Sequence, residues 1–517
     1  MKPAEDHDFS IVAVDKFIQA TRDSGYKGTS SAVAELIDNS LQAGATEIKV
    51  TLTSDGGDDH PITLKVIDNG SGMDMRTLRT ALRFGGSTRF NDRRGLGRYG
   101  MGLPNSSLSQ AQRVTVHTWG SKQGQVLESY LDLDEIAAGD LTEVPKPERV
   151  TRPAFINGYE SGTAVTWSRC DRLDARRVST LERKLALSLG RRFRHFLWDG
   201  VRISVNGEQV QPIDPLFLHE RALFNGATEY ASLEREIAAI PGDPTSTGLV
   251  RVRFSELPVA EWSKLSNQEK RERGIAKGAG VSVVRGGREV DYGWFFLGGK
   301  RRENYDDWWR CEILFEPALD EAFGITHTKQ QIRPRPDLIE ALSGDIENTA
   351  RALNSRARKA HLSVKIAERF SSSEDRASEK DDLLTPLPPE PRPRDKAVLD
   401  SLKKELKQPA NVERKHEDGV EYRIVPKALN DTCFFNYARA EGKLVLVLNP
   451  DHPFYRLVYK QLLESDDQRD VALRTSVDLL LLAAARAEAL LEGKDALKVA
   501  EQLRVDWSDT LATFLNG

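Results

Sequence analysis

The stretch that decides the reading is AELIDNSLQAGA, Ala34–Ala45. With Ser30 or Ser31 at its start it has helical spacing. Val33, Leu36, Ile37 and Leu41 fall at offsets of three, four and eight and make one apolar face. Glu35 and Asn39 are four apart, so they stack one turn above the other, and Asp38 and Gln42 flank them. A solvated helix face gives the same pattern, so the meaning of these polar residues depends on two later stretches.

The first is VIDNGSGMD, Val66–Asp74, in which a β-like run ends at Asp68 and is followed by Gly70 and Gly72. Such glycines let the backbone turn sharply and approach a ligand. An Asp at a strand end accepts hydrogen bonds from an exocyclic amine. The second is GGSTRFNDRRGLGRYGMGL, Gly85–Leu103, which holds Gly95, Gly97, Gly100 and Gly102. A loop of this kind aims backbone N–H groups at phosphate oxygens. Gly95-x-Gly97-x-x-Gly100 mimics a dinucleotide fingerprint, but FNDRR before it is no strand, and no acid ends a strand about twenty residues later. A protein-kinase glycine loop is excluded too, because neither a VAIK-type strand nor HRD follows.

The rest of the chain sets the frame. Its 517 residues are 39% hydrophobic and 29% charged, as in an ordinary soluble protein, and the net charge of -4 gives no chain-wide attraction to nucleic acid or membrane. Cys170, Cys311 and Cys433 lack metal spacing and read as small buried apolar residues in a reducing compartment. The acidic start MKPAEDHDFS is no signal peptide, and LLLLAAA, Leu479–Ala485, is too short to span a bilayer. A cytoplasmic protein without membrane contact is expected.

Strands are expected at EIKVTLT, ITLKVIDNG, RVTVHTWG and GTAVTWS, and a helix through Leu181, Leu185 and Leu189. VRISVNGEQVQPID reads as a hairpin turning at Asn206-Gly207 and opening a second α/β region. SSSEDRASEKDDLLTPLPPEPRPRDK reads as a flexible linker. The expected domains are 1–198, 199–368, a linker at 369–409, and 410–517, where KLVLVLN precedes helices. RRFRHFLW mixes cations and aromatics as nucleic-acid surfaces do, but reads first as a helix packing its aromatics inward; DDWWRCEILF reads as a buried strand with two packing tryptophans, and His452 as a structural cap or interface residue.

The order E-x-x-D-N, D-x-G-x-G, G-x-x-G-x-G and G-T resembles the GHKL ATPases, the superfamily of gyrase, the heat-shock ninety chaperone, histidine kinases and MutL. The boxes are Glu35 to Asn39, Asp68 to Gly72, Gly97 to Gly102, and Gly162-Thr163. FGITHTKQQIRP, which holds Lys329, is similar to the switch-lysine loop of MutL, type II topoisomerases and MORC ATPases. YKG, AELIDNS and DNGSGM look most like MORC and its prokaryotic relatives. The resemblance covers roughly residues 10–365 and leaves 410–517 without a family.

The resemblance implies an α+β chain: a Bergerat-fold helix–sheet sandwich, an α/β transducer domain of ribosomal-protein-like type, the linker, and a small α/β C-terminal module. It implies ATP and Mg²⁺ as cofactors. Glu35 would be the general base for the attacking water, and Asn39 a Mg²⁺ ligand. Asp38 would either orient its neighbours or bind Mg²⁺ through water. Asp68 would accept the adenine amino group, with room given by Gly70 and Gly72, Met73 beside them, and support from Thr163. Gly97, Arg98, Tyr99, Gly100, Met101 and Gly102 would form the phosphate lid. Ser87 and Thr88 would either touch phosphate or be surface turn hydroxyls. Arg93 and Arg94, with Arg98, would either bind phosphate or DNA or be solvated lid charges. Lys329 would reach the γ-phosphate from the second domain, with His327 a structural neighbour. The implied function is an ATP-gated homodimeric clamp, with DNA as the first client. The alternative is a chaperone-like or scaffolding ATPase that binds a protein partner through residues 410–517. A histidine kinase fits poorly, because only about 30 residues precede the nucleotide box.

Overall fold

A computed structural model describes residues 14–23, 25–26, 28–54, 62–86, 101–120, 125–241, 246–325, 331–388, 420–440 and 442–515. The chain divides into two compact units, Met1–Arg358 and Lys359–Gly517.

Among the described residues, the first unit holds two sheets. The larger consists of β1 (Glu47–Ser54), β2 (Ile62–Asp68), β3 (Ala111–Trp119), β4 (Val126–Asp132), β5 (Glu148–Val150), β6 (Gly162–Cys170), β7 (Arg202–Val205) and β8 (Glu208–Gln209). Their order is β5-β4-β3-β6-β2-β1-β7-β8. The expected pair EIKVTLT and ITLKVID forms, with Ile48 opposite Asp68. Helices α1 (Val14–Asp23), α2 (Thr29–Gln42), α3 (Met75–Leu82), α4 (Gly102–Leu108), α5 (Leu133–Ala138), α6 (Val178–Arg192) and α7 (Arg194–Trp198) belong to the same region. Val33, Leu36 and Ile37 of α2 pack with Val50, Leu64, Val66 and the Leu181–Leu185–Leu189 row of α6. None of these is more than 2% exposed, so each contributes roughly 1.5–3 kcal/mol relative to exposure. The apolar spacing read from the sequence is the face that packs.

The start of α2 differs from expectation. The helix begins at Thr29, behind Gly28, and neither Ser30 nor Ser31 caps it. Asp174 does this work: its Oδ2 accepts from the Thr29 backbone N–H at 2.9 Å, while its own N–H donates to Thr29 Oγ1. The cap comes from far along the chain, so the local sequence holds no sign of it.

The Asn206-Gly207 turn forms as expected, with φ of 47° and 89°, the left-handed pair of a tight hairpin. Its hairpin does not open the second region. β7 pairs in parallel with β1, burying Ile203 and Val205 in the first sheet's core. The second sheet starts later, with β9 (Thr228–Ala238), β10 (Thr247–Glu256), β11 (Val281–Arg285), β12 (Arg288–Gly293) and β13 (Trp309–Phe315), in the order β12-β11-β13-β10-β9. Trp308 and Trp309 are buried, as DDWWRCEILF led one to expect. Short helices α8 (Val259–Trp262), α9 (Asn267–Glu272) and α10 (Asp320–Phe323) follow the strands, and α11 (Pro336–Lys380) lends Leu338, Leu342, Ile346, Ala350 and Leu353 to this sheet's core.

Residues 369–380, expected as linker, are the end of α11. Phe370 and Ser373 are wholly buried there. The polar composition misleads because its groups find partners. Ser373 Oγ donates to Asp478 Oδ2 at 2.7 Å, and Glu374 accepts from the Ile424 N–H at 2.8 Å. Residues 389–409 of the expected linker lie outside the described residues.

In the second unit, β14 (Glu421–Pro426), β15 (Phe435–Ala440) and β16 (Lys443–Leu448) make a sheet in the order β14-β16-β15. Helices α12 (Lys460–Glu464), α13 (Gln468–Ala489) and α14 (Lys494–Leu515) follow, around a core of Tyr422, Leu444, Leu446, Tyr459, Leu481 and Ala485. His452 is the structural residue expected: Nδ1 accepts from the Phe454 N–H, and Nε2 lies 3.1 Å from the Ser508 carbonyl. Cys311 and Cys433 are buried and Cys170 half-buried, and burial pushes the Cys170 thiol up to about 12. Among the described residues no helix is long and apolar enough to cross a membrane.

Candidate functional site

Strand alternation places Leu64, Val66 and Asp68 on one side of β2, the side facing α2. Asp68 is 5% exposed and accepts from Ser40 Oγ at 2.9 Å, the Gly70 N–H at 2.8 Å and the Thr163 N–H at 3.2 Å. Thr163 stands directly opposite it in β6. Burial raises the Asp68 carboxyl above its usual range, although the Gly70, Ser40 and Thr163 donors pull it down. An ionised carboxylate accepts about four hydrogen bonds, so these three donors leave room for one more.

The backbone around Asp68 is pressed close. A Cβ on Gly72, at φ +70°, would lie 2.2 Å from the Trp119 carbonyl oxygen, and one on Gly70 would lie 2.8 Å from the Ala43 Cβ. The Met73 N–H donates to Thr118 Oγ1 at 2.8 Å. Thr118 Oγ1 donates in turn to the Gly162 carbonyl at 3.1 Å and lies 3.4 Å from Thr163 Oγ1. Thr163 thus supports Asp68 through its backbone.

On α2, Glu35 is 3% exposed, Asp38 is wholly buried and Asn39 is half-buried. Tyr26 is buried nearby, and burial, then the Glu35 charge, raises the Tyr26 pKa. Gly102, the first residue of α4, lies on the same carboxylate, where a Cβ would fall 2.4 Å from Glu35 Oε1. Pro104 sits in the first turn of α4, where it needs no N–H partner. Gln42 Nε2 is buried with no acceptor among the described residues. Asp38 Oδ1 lies 2.9 Å from Arg288 Nε, which reaches it from β12.

The fold therefore gathers Glu35, Asp38, Asn39, Asp68, Gly70, Gly72, Met73, Met101, Gly102 and Thr163 around the end of β2 and the buried side of α2. Ser87, Thr88, Arg93, Arg94, Gly97, Arg98, Tyr99, Gly100, His327 and Lys329 lie outside the described residues. Sequence reasoning missed Ser40, Thr118 and Arg288, and quoted Tyr26 without a role. Ser40 directly follows Asn39 in the box, a signal that was available. Arg288 has none, because its partner is 250 positions away.

Among the described residues no group of three His, Cys, Asp or Glu side chains is placed to hold a metal. The neutral Asn39 oxygen suits a hard cation that arrives with phosphate oxygens of its own.

Residues 26–163 match the family described as histidine kinase-, DNA gyrase B- and HSP90-like ATPase. This stretch is a GHKL ATPase domain. DNA mismatch repair protein MutL of Sinorhizobium fredii is 28% identical over 166 residues, 31% of this chain and 26% of MutL. Protein MICRORCHIDIA 6 of Arabidopsis thaliana is 34% identical over 109 residues, 20% of this chain and 16% of that protein. MutL of Aeromonas hydrophila is 23% identical over 244 residues, 46% of this chain and 36% of its own length. The chain thus spans well under half the length of these relatives. Among solved structures, "Crystal Structure of N terminal domain of a DNA repair protein" aligns with a TM-score of 0.41 at 15% identity, over 65% of this chain and 98% of that one. The GHKL domain supplies every described motif residue, whereas Arg288 comes from beyond its matched end.

Proposed function

We infer that the chain is a slow, Mg²⁺-dependent ATPase acting as an ATP-gated dimeric clamp. What supports this reading most is a GHKL domain that buries two carboxylates against close-packed glycine backbone: Asp68 with acceptor capacity to spare, and Glu35 against Gly102. Asp68 accepts the adenine amino group, which selects adenine over guanine. Glu35 takes a proton from the attacking water, a task worth about 10²–10⁴ in rate. Asn39 would hold Mg²⁺ together with the phosphates, and Mg²⁺ would supply positive charge against theirs. Residues 97–102 close over the phosphates, and Lys329 reports the γ-phosphate to residues 199–368, which act as a transducer. Loss of that phosphate removes the bias towards the closed dimer.

DNA is the first client, by likeness to MutL, a DNA mismatch repair protein. A second reading, a protein client held by the last unit, is favoured by Leu480, Val499, Leu503 and Phe514, which are 68–80% exposed on α13 and α14. Mass measurement with and without a non-hydrolysable ATP analogue, for wild type and Glu35→Ala, tests the clamp. Both are expected to dimerise with the analogue, and nucleotide binding without any change of mass or shape would contradict it. ATPase stimulation by duplex DNA that falls steeply with salt favours the first client, and stimulation by protein alone the second.

A further inference from the structure

A buried ion pair crosses from the GHKL domain to the second sheet. Gly286 and Gly287, at φ +52° and +86°, turn β11 into β12, and Gly287 packs beside Phe196 of α7. Arg288 follows the turn and reaches Asp38 on α2 at 2.9 Å, with both side chains at most 1% exposed. The next residue, Glu289, accepts from Arg191 Nε at 2.8 Å and Arg194 Nη1 at 3.0 Å. Arg194 also pairs with Glu312 of β13 and donates to Ser282 Oγ of β11. Arg192 donates to Ser31 Oγ in the first turn of α2, and burial, then the Arg288 charge, lower its pKa to about 10. Asp38, Glu289 and Glu312 thus sit among Arg191, Arg192, Arg194 and Arg288 where the first region meets the second sheet.

Stability is a weak explanation for such a cluster. Charges sealed from water recover their desolvation cost only in good geometry, and apolar side chains of similar volume often do as well or better. A buried pair does fix register, because only one rotation of α2 and one placement of β12 bring the two charges within 2.9 Å, although Nε and Oδ1 are not aligned as a hydrogen bond. Glu35 lies one turn before Asp38 on the same helix. The buried Tyr26 feels the charges of Glu35, Arg288 and Asp38 together. Asp68 stands apart from this network on β2, held by uncharged donors.

We propose that Arg288 is a positioning residue which, through Asp38, sets the orientation of α2 and hence of Glu35 from the second sheet. This gives Asp38 the orienting role in place of a water-bridged metal contact. It rests on the ATPase reading above, with a consequence of its own: turnover depends on the Asp38–Arg288 pair, and nucleotide affinity does not.

The test uses the full chain and measures kcat, KM, the Kd of a non-hydrolysable ATP analogue, and thermal melting. Arg288→Met and Asp38→Asn are each expected to lose about tenfold or more in kcat, with Kd changed less than about threefold. The double variant Asp38→Asn/Arg288→Met removes both charges together, so it is expected to regain the melting that either single variant loses while its kcat stays low. A double variant with wild-type kcat overturns the proposal, because a merely structural pair would restore melting and turnover together. So does a folded single variant with wild-type kcat. If the double variant does not fold, Arg288→Lys decides, since it keeps the charge but lacks the planar guanidinium. Native melting with lowered kcat then supports the proposal, and wild-type kcat overturns it. A wild-type chain that binds no nucleotide at all contradicts the ATPase reading instead.

Discussion

Both units bury carboxylates, but in different company. In the second unit, Asp478 accepts from Tyr459 and Ser373, and Asp381 from Tyr422, Arg486 and the Val420 N–H. Side chains and backbone of the same unit close around each of these groups. In the first unit, Glu35 and Asp68 lie against Gly102 and Gly70, where there is no room for a Cβ, and the donors at Asp68 leave acceptor capacity over. Burial of charge does not by itself mark a site. Buried charge beside backbone that must come close is the more selective sign.

The largest expected break in this contrast is Glu35→Ala. Turnover falls by about 10²–10⁴ while analogue affinity stays within about threefold, as measured by steady-state kinetics and calorimetry. Equal turnover would remove the assigned role. Gly102→Ala is the smaller version. Its methyl group would meet Glu35 Oε1 at 2.4 Å, so turnover is expected to drop about tenfold. Asp478→Asn probes the other side. It weakens the Tyr459 and Ser373 bonds, lowers stability by about 1–3 kcal/mol in a denaturant melt, and leaves turnover as it was. A loss of turnover without destabilisation would mean that the two sets of carboxylates are not distinct.

The smallest effect is one of pH. Burial pushes the Glu374 carboxyl up to about 7, against the Ile424 N–H and the Arg423 charge. Its folded pKa lies above its unfolded value, so its contribution to stability is present in acid and lost as pH rises through about 7. Asp478 and Glu488 are also raised by burial and act with the same sign, whereas Asp381 is lowered and opposes them. Melting of the second unit is expected to fall from about pH 5 to about pH 8, and Glu374→Gln to shrink that slope.

Local chemistry carried much of this into the sequence. The offsets of Val33, Leu36 and Ile37 fixed the buried face of α2, Asn206-Gly207 fixed a turn, and Asp68-x-Gly70-x-Gly72 fixed a strand end with tight backbone. What stayed hidden depends on residues distant in the chain. Asp174 caps α2, β7 joins β1, and Arg288 meets Asp38, and none of these leaves a local spacing to read. The end of α11 was hidden for another reason. Ser373 and Glu374 look like linker residues until their partners in β14 and α13 are in place.

The proposed role that the rest depends on is the reading of adenine by Asp68 at the end of β2. Its most direct test is calorimetric titration of the full chain, with Mg²⁺, against non-hydrolysable ATP and GTP analogues, for wild type and Asp68→Ala. The account predicts that wild type binds the ATP analogue at least about tenfold more tightly than the GTP analogue, and that Asp68→Ala loses that preference together with most of its affinity. Equal binding of the two analogues by wild type, or unaltered ATP-analogue binding by Asp68→Ala, would contradict it.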